Sequence, residues 1–293
     1  MKRFHGIYPA LLTPFHGDGS INHKALRELV RLNMQKGVAG FYAGGSTAES
    51  FLLESAQRKE LLETIVDEVA GRCQVIAHIG TISQRAAIDL ARHADSLGVD
   101  AVSSIPPFYY GFPFDCIRDY YLALADSVKA PVLIYHFPAN SGVTLKLEDA
   151  QRFLDDKRFA GIKYTSNDLF MLAQLRASHP EAAILNGYDE IMLSGLAAGA
   201  NGGVGSTYNV MAEKFIAIQA HFDKGEIAAA QALQQEANRV IAAFIKLGVM
   251  PAEKAALRLM GIDMGQCLPP FQQIDAPQEA WLKGVLTDNN CQL

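Results

Sequence analysis

Cysteine and closely spaced metal ligands are scarce in this sequence. Its four cysteines are scattered, with no Cys-x-x-Cys pair, and its eight histidines show no His-x-x-x-His spacing and no accompanying acidic cluster. Structural zinc sites and small disulfide frameworks need such spacings. We therefore expect reduced thiols, no disulfide framework and no bound metal.

Positive net charge and long apolar runs are lacking as well. The net charge of −5 argues against nucleic acid or an anionic membrane as the main partner. The apolar run near the start of the chain is short and interrupted by Pro9 and Pro14, so it predicts neither a signal peptide nor a membrane span. We expect a cytoplasmic protein, and because no linker rich in Pro, Gly or Ser divides the chain, no second independent domain.

Short apolar runs alternate with amphipathic segments along most of the chain. Eight strand–helix units of about 25 to 35 residues predict an α/β fold, a (β/α)8 TIM barrel, over residues 1–224. After Gly225 the pattern is purely helical, which predicts an appended C-terminal helical segment over 225–293 packed on the barrel. An open doubly wound sheet is the competing fold; the count of units and the lack of a dinucleotide-binding glycine motif after the first strand argue against it. The predicted strands lie at 6–12, 38–42, 74–79, 100–105, within 131–138, within 159–166, at 183–186 and at 202–205.

Two of these strands carry a reactive side chain each. Lys163 lies in the run FAGIKYTS and Tyr135 in the run PVLIYHFP. A buried ammonium is costly, so such an amine becomes partly neutral and then acts as a nucleophile toward a carbonyl carbon, with a nearby phenol to transfer protons. Taken alone, a lysine at a strand end is more often a solvated side chain and a tyrosine a core aromatic. The catalytic interpretation therefore depends on their neighbours.

Polar and small residues follow the predicted strands at their carboxyl ends. In a parallel barrel these ends and the loops after them form the active face. The opposite ends carry plainer residues, an asymmetry typical of an enzyme, although a non-catalytic ligand-binding barrel shows it too. The candidates are Thr13, Ser46, Thr47, Tyr109, Tyr110, Tyr135, Lys163, Thr165, Gly187, Asp189, Glu190 and Ser206.

Three of these segments have a structural as well as a functional interpretation. The turn at 44–47, Gly-Gly-Ser-Thr, is either only a tight turn or a pocket whose hydroxyl and backbone N–H groups bind a carboxylate. Asp189 and Glu190 are either acids favoured at a helix start or ligands of hydroxyl groups. The glycine-rich run 199–206 resembles a phosphate loop, but it has no Lys or Arg, which favours close backbone packing.

Six motifs in order resemble one known family. The sequence contains GGSTAES, PPFYY, YHFPANSGV, GIKYTS, NGYDE and GGVGSTYN, and in these it resembles the pyruvate-dependent class I aldolases, the family of dihydrodipicolinate synthase and N-acetylneuraminate lyase. The resemblance extends from ALLTPF to GSTYN and into the helical tail. It implies a homotetramer built as a dimer of dimers, and no cofactor, metal or nucleotide beyond a covalent imine.

The resemblance also implies a role for each candidate residue. Lys163 would form a Schiff base with the C2 ketone of the substrate, and the protonated imine would accept the electrons of the breaking C3–C4 bond. Tyr135 would take the proton of the C4 hydroxyl. Ser46 and Thr47 would hold the carboxylate, and Ser46 would link Tyr135 toward Tyr109 of a neighbouring subunit. The residues implied to bind the polyhydroxy part of the substrate are Thr165, Gly187, Asp189, Glu190 and Ser206.

The segment after Tyr135 bears on the choice of substrate. Residues 136–141 contain no arginine, which argues against the branch of the family that takes aspartate semialdehyde. The implied reaction is the reversible cleavage of N-acetylneuraminate to pyruvate and N-acetylmannosamine. Ala48, Tyr164 and Met250 depart from the family pattern, and they bear on the sugar more than on the reaction. An aldolase or dehydratase of another 2-keto-3-deoxy sugar acid, and a non-catalytic sugar-acid-binding barrel, stay open as alternatives.

Overall fold

Eight short parallel strands form the centre of the molecule. The computed structural model describes residues 4–293. Almost every strand residue is buried, as expected where helices cover the outside of a parallel sheet and side chains fill its inside. The strands are β1 Gly6–Pro9, β2 Gly40–Ala43, β3 Gln74–His78, β4 Ala101–Ser104, β5 Val132–His136, β6 Phe159–Tyr164, β7 Ala183–Asn186 and β8 Gly202–Gly205.

The sheet closes on itself. Each strand pairs in parallel with its neighbour in sequence from β2 to β8, and β8 pairs with β1 through Ile7 and Gly203. A bridge between Ala10 and Tyr42 connects the end of β1 to β2. The predicted (β/α)8 barrel is therefore confirmed and the doubly wound sheet is wrong. β1 ends at Pro9 and not at residue 12 as predicted, because beyond it the ladder is reduced to that single bridge.

Helices alternate with the strands and continue after the last one. Asn22 caps the first helix by accepting from the Ala25 N–H, and Ser83 caps the third as predicted, by accepting from the Ala86 N–H. The one-turn helix α5 was not predicted, since four residues are too few to show a helical period. The helices are α1 His23–Gln35, α2 Ser55–Val69, α3 Gln84–Ser96, α4 Phe114–Ser127, α5 Pro138–Ser141, α6 Leu147–Leu154, α7 Leu169–Ser178, α8 Met192–Ala197, α9 Tyr208–Asp223, α10 Ile227–Leu247, α11 Val249–Leu259 and α12 Ala276–Asp288.

The C-terminal helices lie against the carboxyl ends of the strands. On α10, the Gln234 side chain donates to the Asp189 carbonyl and the Asn238 side chain to the Glu190 carbonyl, both at 3.0 Å. These contacts attach the helical tail to the loop after β7. The division into a barrel over 1–224 and a helical segment over 225–293 stays a prediction, and the first three residues of that barrel lie outside the described residues.

The glycine-rich run that contains β8 packs backbone against backbone. A Cβ atom at Gly202 would lie 2.0 Å from the Gly6 carbonyl oxygen, and one at Gly203 would lie 2.4 Å from the Tyr208 hydroxyl. Only glycine fits such approaches, so close packing explains this run. In the described part of the chain, no helix has the length and apolar character needed to cross a membrane.

Candidate active site

Lys163 lies on β6, inside the barrel and next to Tyr135. The two residues are paired in the register of β5 and β6, and the Lys163 side chain is buried, at 5 % exposure. Its Nζ lies 4.0 Å from the centroid of the Tyr135 ring and 4.2 Å from that of Tyr42. Burial lowers the pKa of Lys163 to about 7, opposed by the charge of Asp189. Since a neutral amine is the nucleophilic form, much of this lysine is reactive at neutral pH.

Tyr135 carries the phenol that the sequence predicts beside this amine. Its side chain is almost completely buried. Burial raises its pKa well above the usual range, and the nearby Ser46 and Thr165 hydroxyls oppose this effect. The phenol is therefore protonated at neutral pH, and it lies close to two hydroxyl groups. Such a group can donate a proton and receive one back within the same site.

The turn after β2 brings Ser46 and Thr47 to the cavity. Gly44 has a φ of 68°, and residues Ser46–Ala48 form a single 3-10 turn that ends at Glu49 in the left-handed region, with a φ of 60°. The Thr13 hydroxyl donates to the Ala48 carbonyl at 2.9 Å. The turn is thus fixed in place, and Ser46 and Thr47 line the same cavity as Lys163.

A buried ion pair holds the end of this turn. The Glu49 and Lys254 side chains are both 0 % exposed, and Lys254 Nζ lies 2.7 Å from Glu49 Oε1. Glu49 Oε2 also accepts from the Leu268 N–H at 2.6 Å. Sequence reasoning missed this pair. The only available signal was an acid two residues after the Gly-Gly-Ser-Thr run, because Lys254 lies far away in the sequence, on α11.

Asp189 forms the opposite wall of the cavity. Its Oδ2 accepts from the Thr207 N–H at 3.0 Å and from the Thr207 hydroxyl at 2.7 Å, whereas its Oδ1 has no hydrogen-bond partner among residues 4–293. Burial raises the pKa of Asp189 to about 6, although the Thr207 bonds lower it. A Cβ at Gly205 would lie 1.7 Å from Oδ1, so glycine there makes room for the carboxylate. Sequence reasoning missed Thr207.

The cavity between these walls has a volume of about 240 Å³. Of the candidate residues, all except Thr13, Tyr109 and Tyr110 line it, and Ile241, Ile245 and Val249 add an apolar side that was not predicted. A Cβ at Gly187, the predicted glycine of the site, would lie 1.8 Å from the Thr165 hydroxyl. The predicted residues at the cavity are Ser46, Thr47, Tyr135, Lys163, Thr165, Gly187, Asp189, Glu190 and Ser206.

Tyr109 lies outside this cavity. Its side chain is 82 % exposed, its φ is 83°, and its ring contacts that of Tyr110 edge to face, with centroids 5.0 Å apart. A larger cavity of about 570 Å³ borders the first one at Ser46, and its lining includes Phe51, Phe108 and Met250. Met250 therefore lies in this second cavity and not beside the amine.

The arrangement favours covalent chemistry on a keto acid. A partly neutral amine, a protonated phenol and a turn rich in hydroxyl groups surround one end of the cavity, and carboxylates lie at the other. Among residues 4–293 no cluster of His, Cys, Asp and Glu has a geometry suited to a metal ion. These groups can form an imine with a ketone and transfer protons around it.

Comparison with known proteins places the chain in a family. The sequence model of the Dihydrodipicolinate synthetase family matches residues 3–288. The chain belongs to this family. Within it, the chain is 42 % identical to an N-acetylneuraminate lyase of Citrobacter koseri over 286 residues, 97 % of this chain and 96 % of that protein.

Solved structures of the same family have the same architecture. One is CdNal from Clostridium difficile in complex with mannosamine, at a TM-score of 0.96 and 32 % identity, covering 98 % of this chain and 100 % of that one. Another is a catalytic lysine mutant of a sialic acid aldolase from Ruminococcus gnavus, at a TM-score of 0.94 and 26 % identity, covering 98 % of both chains. The family relationship therefore extends over the whole barrel and the helical tail.

Proposed function

We propose that this protein catalyses the reversible cleavage of N-acetylneuraminate to pyruvate and N-acetylmannosamine, as a class I aldolase. The observation that carries the proposal is the buried amine of Lys163 beside the Tyr135 phenol, an amine that forms no ion pair within residues 4–293. Relatives that share 42 % of its sequence over nearly the full length are named for this activity, which supports the choice of substrate.

Lys163 and Tyr135 supply the chemistry in this proposal. The neutral amine attacks the C2 ketone, and the Tyr135 phenol protonates the hydroxyl of the resulting carbinolamine, which leaves as water. The products of this step are a protonated imine and a phenolate. The opposite charge of the imine stabilises the phenolate, which explains how a tyrosine whose pKa is raised in the free protein becomes a base.

The bond cleavage then uses the same two groups. The phenolate takes the proton of the C4 hydroxyl, the C3–C4 bond breaks, and its electrons pass into the imine to give an enamine and a free aldehyde. The phenol returns its proton to C3, and hydrolysis of the protonated imine releases pyruvate, restores the neutral amine and gives a proton back to the phenolate. Every proton that Tyr135 gives is recovered within the cycle, so no metal, nucleotide or other cofactor takes part.

The two ends of the cavity bind the two ends of the substrate. Ser46 and Thr47 donate to the carboxylate next to the ketone. Asp189, with its unpartnered Oδ1, accepts from a hydroxyl of the sugar portion, because an ionised carboxylate is an acceptor only. The remaining residues proposed to contact the sugar portion are Thr165, Gly187, Glu190 and Ser206.

Tyr109 acts from a neighbouring subunit in this proposal. Its exposed ring and left-handed backbone suit a residue that projects from its own chain. The larger cavity, which begins at Ser46 and is lined by Phe51 and Phe108, offers an apolar surface for such an aromatic side chain. We propose a homotetramer, a dimer of dimers, in which Tyr109 of one subunit reaches Ser46 of the next, and a cytoplasmic location.

A direct assay tests the substrate and the class of protein. Purified protein is offered N-acetylneuraminate and 2-keto-3-deoxygluconate in parallel, and pyruvate release is measured; we expect turnover of the first to be strongly preferred. Preference for the second compound supports the alternative sugar-acid aldolase. If borohydride with pyruvate leaves the mass of the chain unchanged, the protein is a binding barrel and not an aldolase.

A further inference from the structure

His78 is a buried histidine at the end of β3 that the chemistry described so far does not use. It is 4 % exposed, and it lies on the same face of the strand as Ile76, which belongs to one apolar cluster with Tyr135. The His78 ring meets the Tyr135 ring edge to face, with centroids 5.9 Å apart and an angle of 88°. A titratable ring in contact with the proposed acid–base residue needs an explanation beyond packing.

Both nitrogens of the His78 ring have a backbone partner. Nε2 accepts from the Ile105 N–H at 3.3 Å, and Nδ1 lies 3.0 Å from the Gly44 carbonyl oxygen. A backbone N–H only donates and a carbonyl only accepts. The ring therefore has its single proton on Nδ1 and donates it to Gly44, and the Ile105 contact selects this tautomer. A Cβ at Gly80 would lie 2.8 Å from both Nε2 and the Ile105 nitrogen, so glycine there makes room for the contact.

The surroundings of the ring keep it neutral. The buried Arg58 guanidinium donates to the His78 carbonyl at 2.9 Å and to the Gly80 carbonyl at 3.1 Å. Burial and the charge of Arg58 lower the pKa of His78 well below its usual value; the bond to Gly44 opposes them, and the charge of Lys163 adds to them. A neutral ring with both nitrogens engaged has no free lone pair or proton for acid–base chemistry. Its contribution is therefore geometric.

The Gly44 carbonyl lies at the beginning of the turn that brings Ser46 and Thr47 to the cavity. Gly44 has a φ of 68°, in the left-handed region that glycine adopts without strain. Because the peptide bond is planar, a fixed direction of this carbonyl also fixes the peptide unit that leads into Gly45. The contacts of Thr13 and of the buried ion pair hold only the end of the turn, so the imidazole holds its beginning.

We propose that His78 is a positioning residue for the keto-acid end of the site: its Nδ1–H holds the Gly44 carbonyl and thereby places the Ser46 hydroxyl at the substrate carboxylate. The inference rests on the proposed function, since it concerns the turn that binds the carboxylate of that substrate. It adds a residue from β3, a strand that contributes no lining residue to the cavity within the described chain.

Three substitutions at His78 separate its two hydrogen bonds. The amide nitrogen of Asn occupies the position of Nδ1, so His78→Asn keeps the donor to Gly44. The amide of Gln reaches the position of Nε2, so His78→Gln keeps only a partner for Ile105, and His78→Leu keeps neither. We expect His78→Gln and His78→Leu to raise the pyruvate concentration that half-saturates reductive trapping at Lys163 by about tenfold, the worth of one hydrogen bond. His78→Asn should stay within about threefold of the unsubstituted protein.

The second substrate distinguishes positioning from a structural role. At saturating pyruvate, the KM for N-acetylmannosamine should change by less than about threefold in all three variants, because the sugar portion is bound at the wall formed by Asp189. A lower Tm with equal rises for both substrates would make His78 purely structural and would overturn the proposal. A fall in kcat that is as large in His78→Asn as in His78→Leu would also overturn it, because that result assigns proton transfer to the ring.

His136→Leu is the matched control. His136 is another buried histidine at the end of a strand, 2 % exposed, but it lies on the opposite face of β5 from Tyr135. Its ring stacks on that of Tyr164, with centroids 5.1 Å apart. Its loss should leave the pyruvate dependence of trapping unchanged. A rise equal to that of His78→Leu would show that the loss of any buried imidazole has this effect, which contradicts the proposal.

A crystal structure of the reduced pyruvate adduct tests the contacts even if the variants do not fold. It should show His78 in contact with Gly44 and Ile105, and Ser46 at the carboxylate; a carboxylate bound by Ser46 with the imidazole away from Gly44 would overturn the proposal. An unsubstituted protein that forms no adduct contradicts the proposed function, whatever the variants do. An adduct that forms with the same pyruvate dependence in His78→Leu contradicts only the role of His78.

Discussion

Two buried lysines in this protein have opposite surroundings. Lys254 Nζ lies 2.7 Å from a Glu49 oxygen and donates to a backbone carbonyl, whereas Lys163 Nζ lies over the rings of Tyr42 and Tyr135 and forms no ion pair with a carboxylate of residues 4–293. Burial lowers the pKa of both amines, but Glu49 opposes the effect at Lys254, while that of Lys163 falls to about 7.

The comparison shows that burial alone does not make a lysine nucleophilic. An amine paired with a carboxylate serves structure, and here it fixes the turn that carries Ser46. An amine that lies over aromatic rings without an ion pair loses its proton more readily, because ring faces offer limited compensation for lost water. The missing counter-ion is therefore the feature that distinguishes the proposed catalytic lysine.

The largest expected effect is the loss of activity in Lys163→Ala. Without the amine no imine forms, so turnover should fall below detection while the thermal unfolding transition persists. Reduction with borohydride in the presence of pyruvate, followed by mass spectrometry of peptides, should locate the adduct at Lys163 and at no other lysine. An adduct on Lys254 would break the comparison, because it would show that a paired amine reacts as well.

The next largest expected effect is the loss of rate in Tyr135→Phe. It keeps the ring over which the amine lies and removes only the proton-transferring hydroxyl, so kcat should fall by about 10²- to 10⁴-fold. Imine trapping at Lys163 should persist, though more slowly. Tyr42→Phe is the matched control, since its ring has the same relation to Nζ while its hydroxyl donates to Ser103. Equal losses in both variants would remove Tyr135 from its proposed role.

The sequence was sufficient to predict what depends on local pattern. Alternating apolar runs predicted the barrel, and the carboxyl ends of its strands predicted half of the residues that line the cavity. Lys163 and Tyr135 could be placed together because consecutive strands of a parallel barrel are neighbours. The exact ends of several strands, among them β1 and β2, were wrong and the one-turn helix α5 was missed, since a few residues carry too little periodicity.

Contacts between distant segments could not be predicted in this way. The Glu49–Lys254 pair joins the turn after β2 to α11, and no local pattern marks either residue as the partner of the other. Thr207 donates two hydrogen bonds to Asp189 from a position that only the assembled fold creates. The surroundings of these residues, and not their spacing in the chain, determine their hydrogen bonds.

The third expected effect, in order of size, is a difference in the free energy of unfolding between variants of the two lysines. Lys254→Met leaves the Glu49 carboxylate buried and unpaired, which should lower the free energy of unfolding by about 3–5 kcal/mol. Lys163→Met removes a buried amine that has no counter-ion and should stabilise the protein at neutral pH. Urea unfolding followed by circular dichroism measures both. The double variant Glu49→Gln, Lys254→Met should recover part of the loss; shifts of the same sign in the two single variants would contradict the assigned environments.

The smallest expected effect is a pH dependence of imine trapping and of stability that results from the titration of Lys163. Its pKa is lowered to about 7 from its usual 10.5, so the neutral fraction, and with it the initial rate of reductive trapping by pyruvate, should rise about tenfold per pH unit below pH 7 and level off above it. Between pH 7 and 10.5 the unfolded chain binds a proton at this residue that the folded chain does not. Stability should therefore rise with pH in that window, and Lys163→Met should lack this contribution.

Asp189 titrates close to the same range, with a pKa of about 6, and it acts electrostatically on Lys163. The Asp189→Asn variant separates the two groups. Because the carboxylate raises the pKa of the amine, its removal should shift the midpoint of the trapping profile to lower pH while leaving its shape intact. If the trapping profile of Asp189→Asn shows no midpoint, the titration is that of the Asp189 carboxyl group and not of Lys163. A midpoint near the usual lysine pKa of 10.5 in the unsubstituted protein would mean that the lack of an ion pair does not set the reactivity of Lys163.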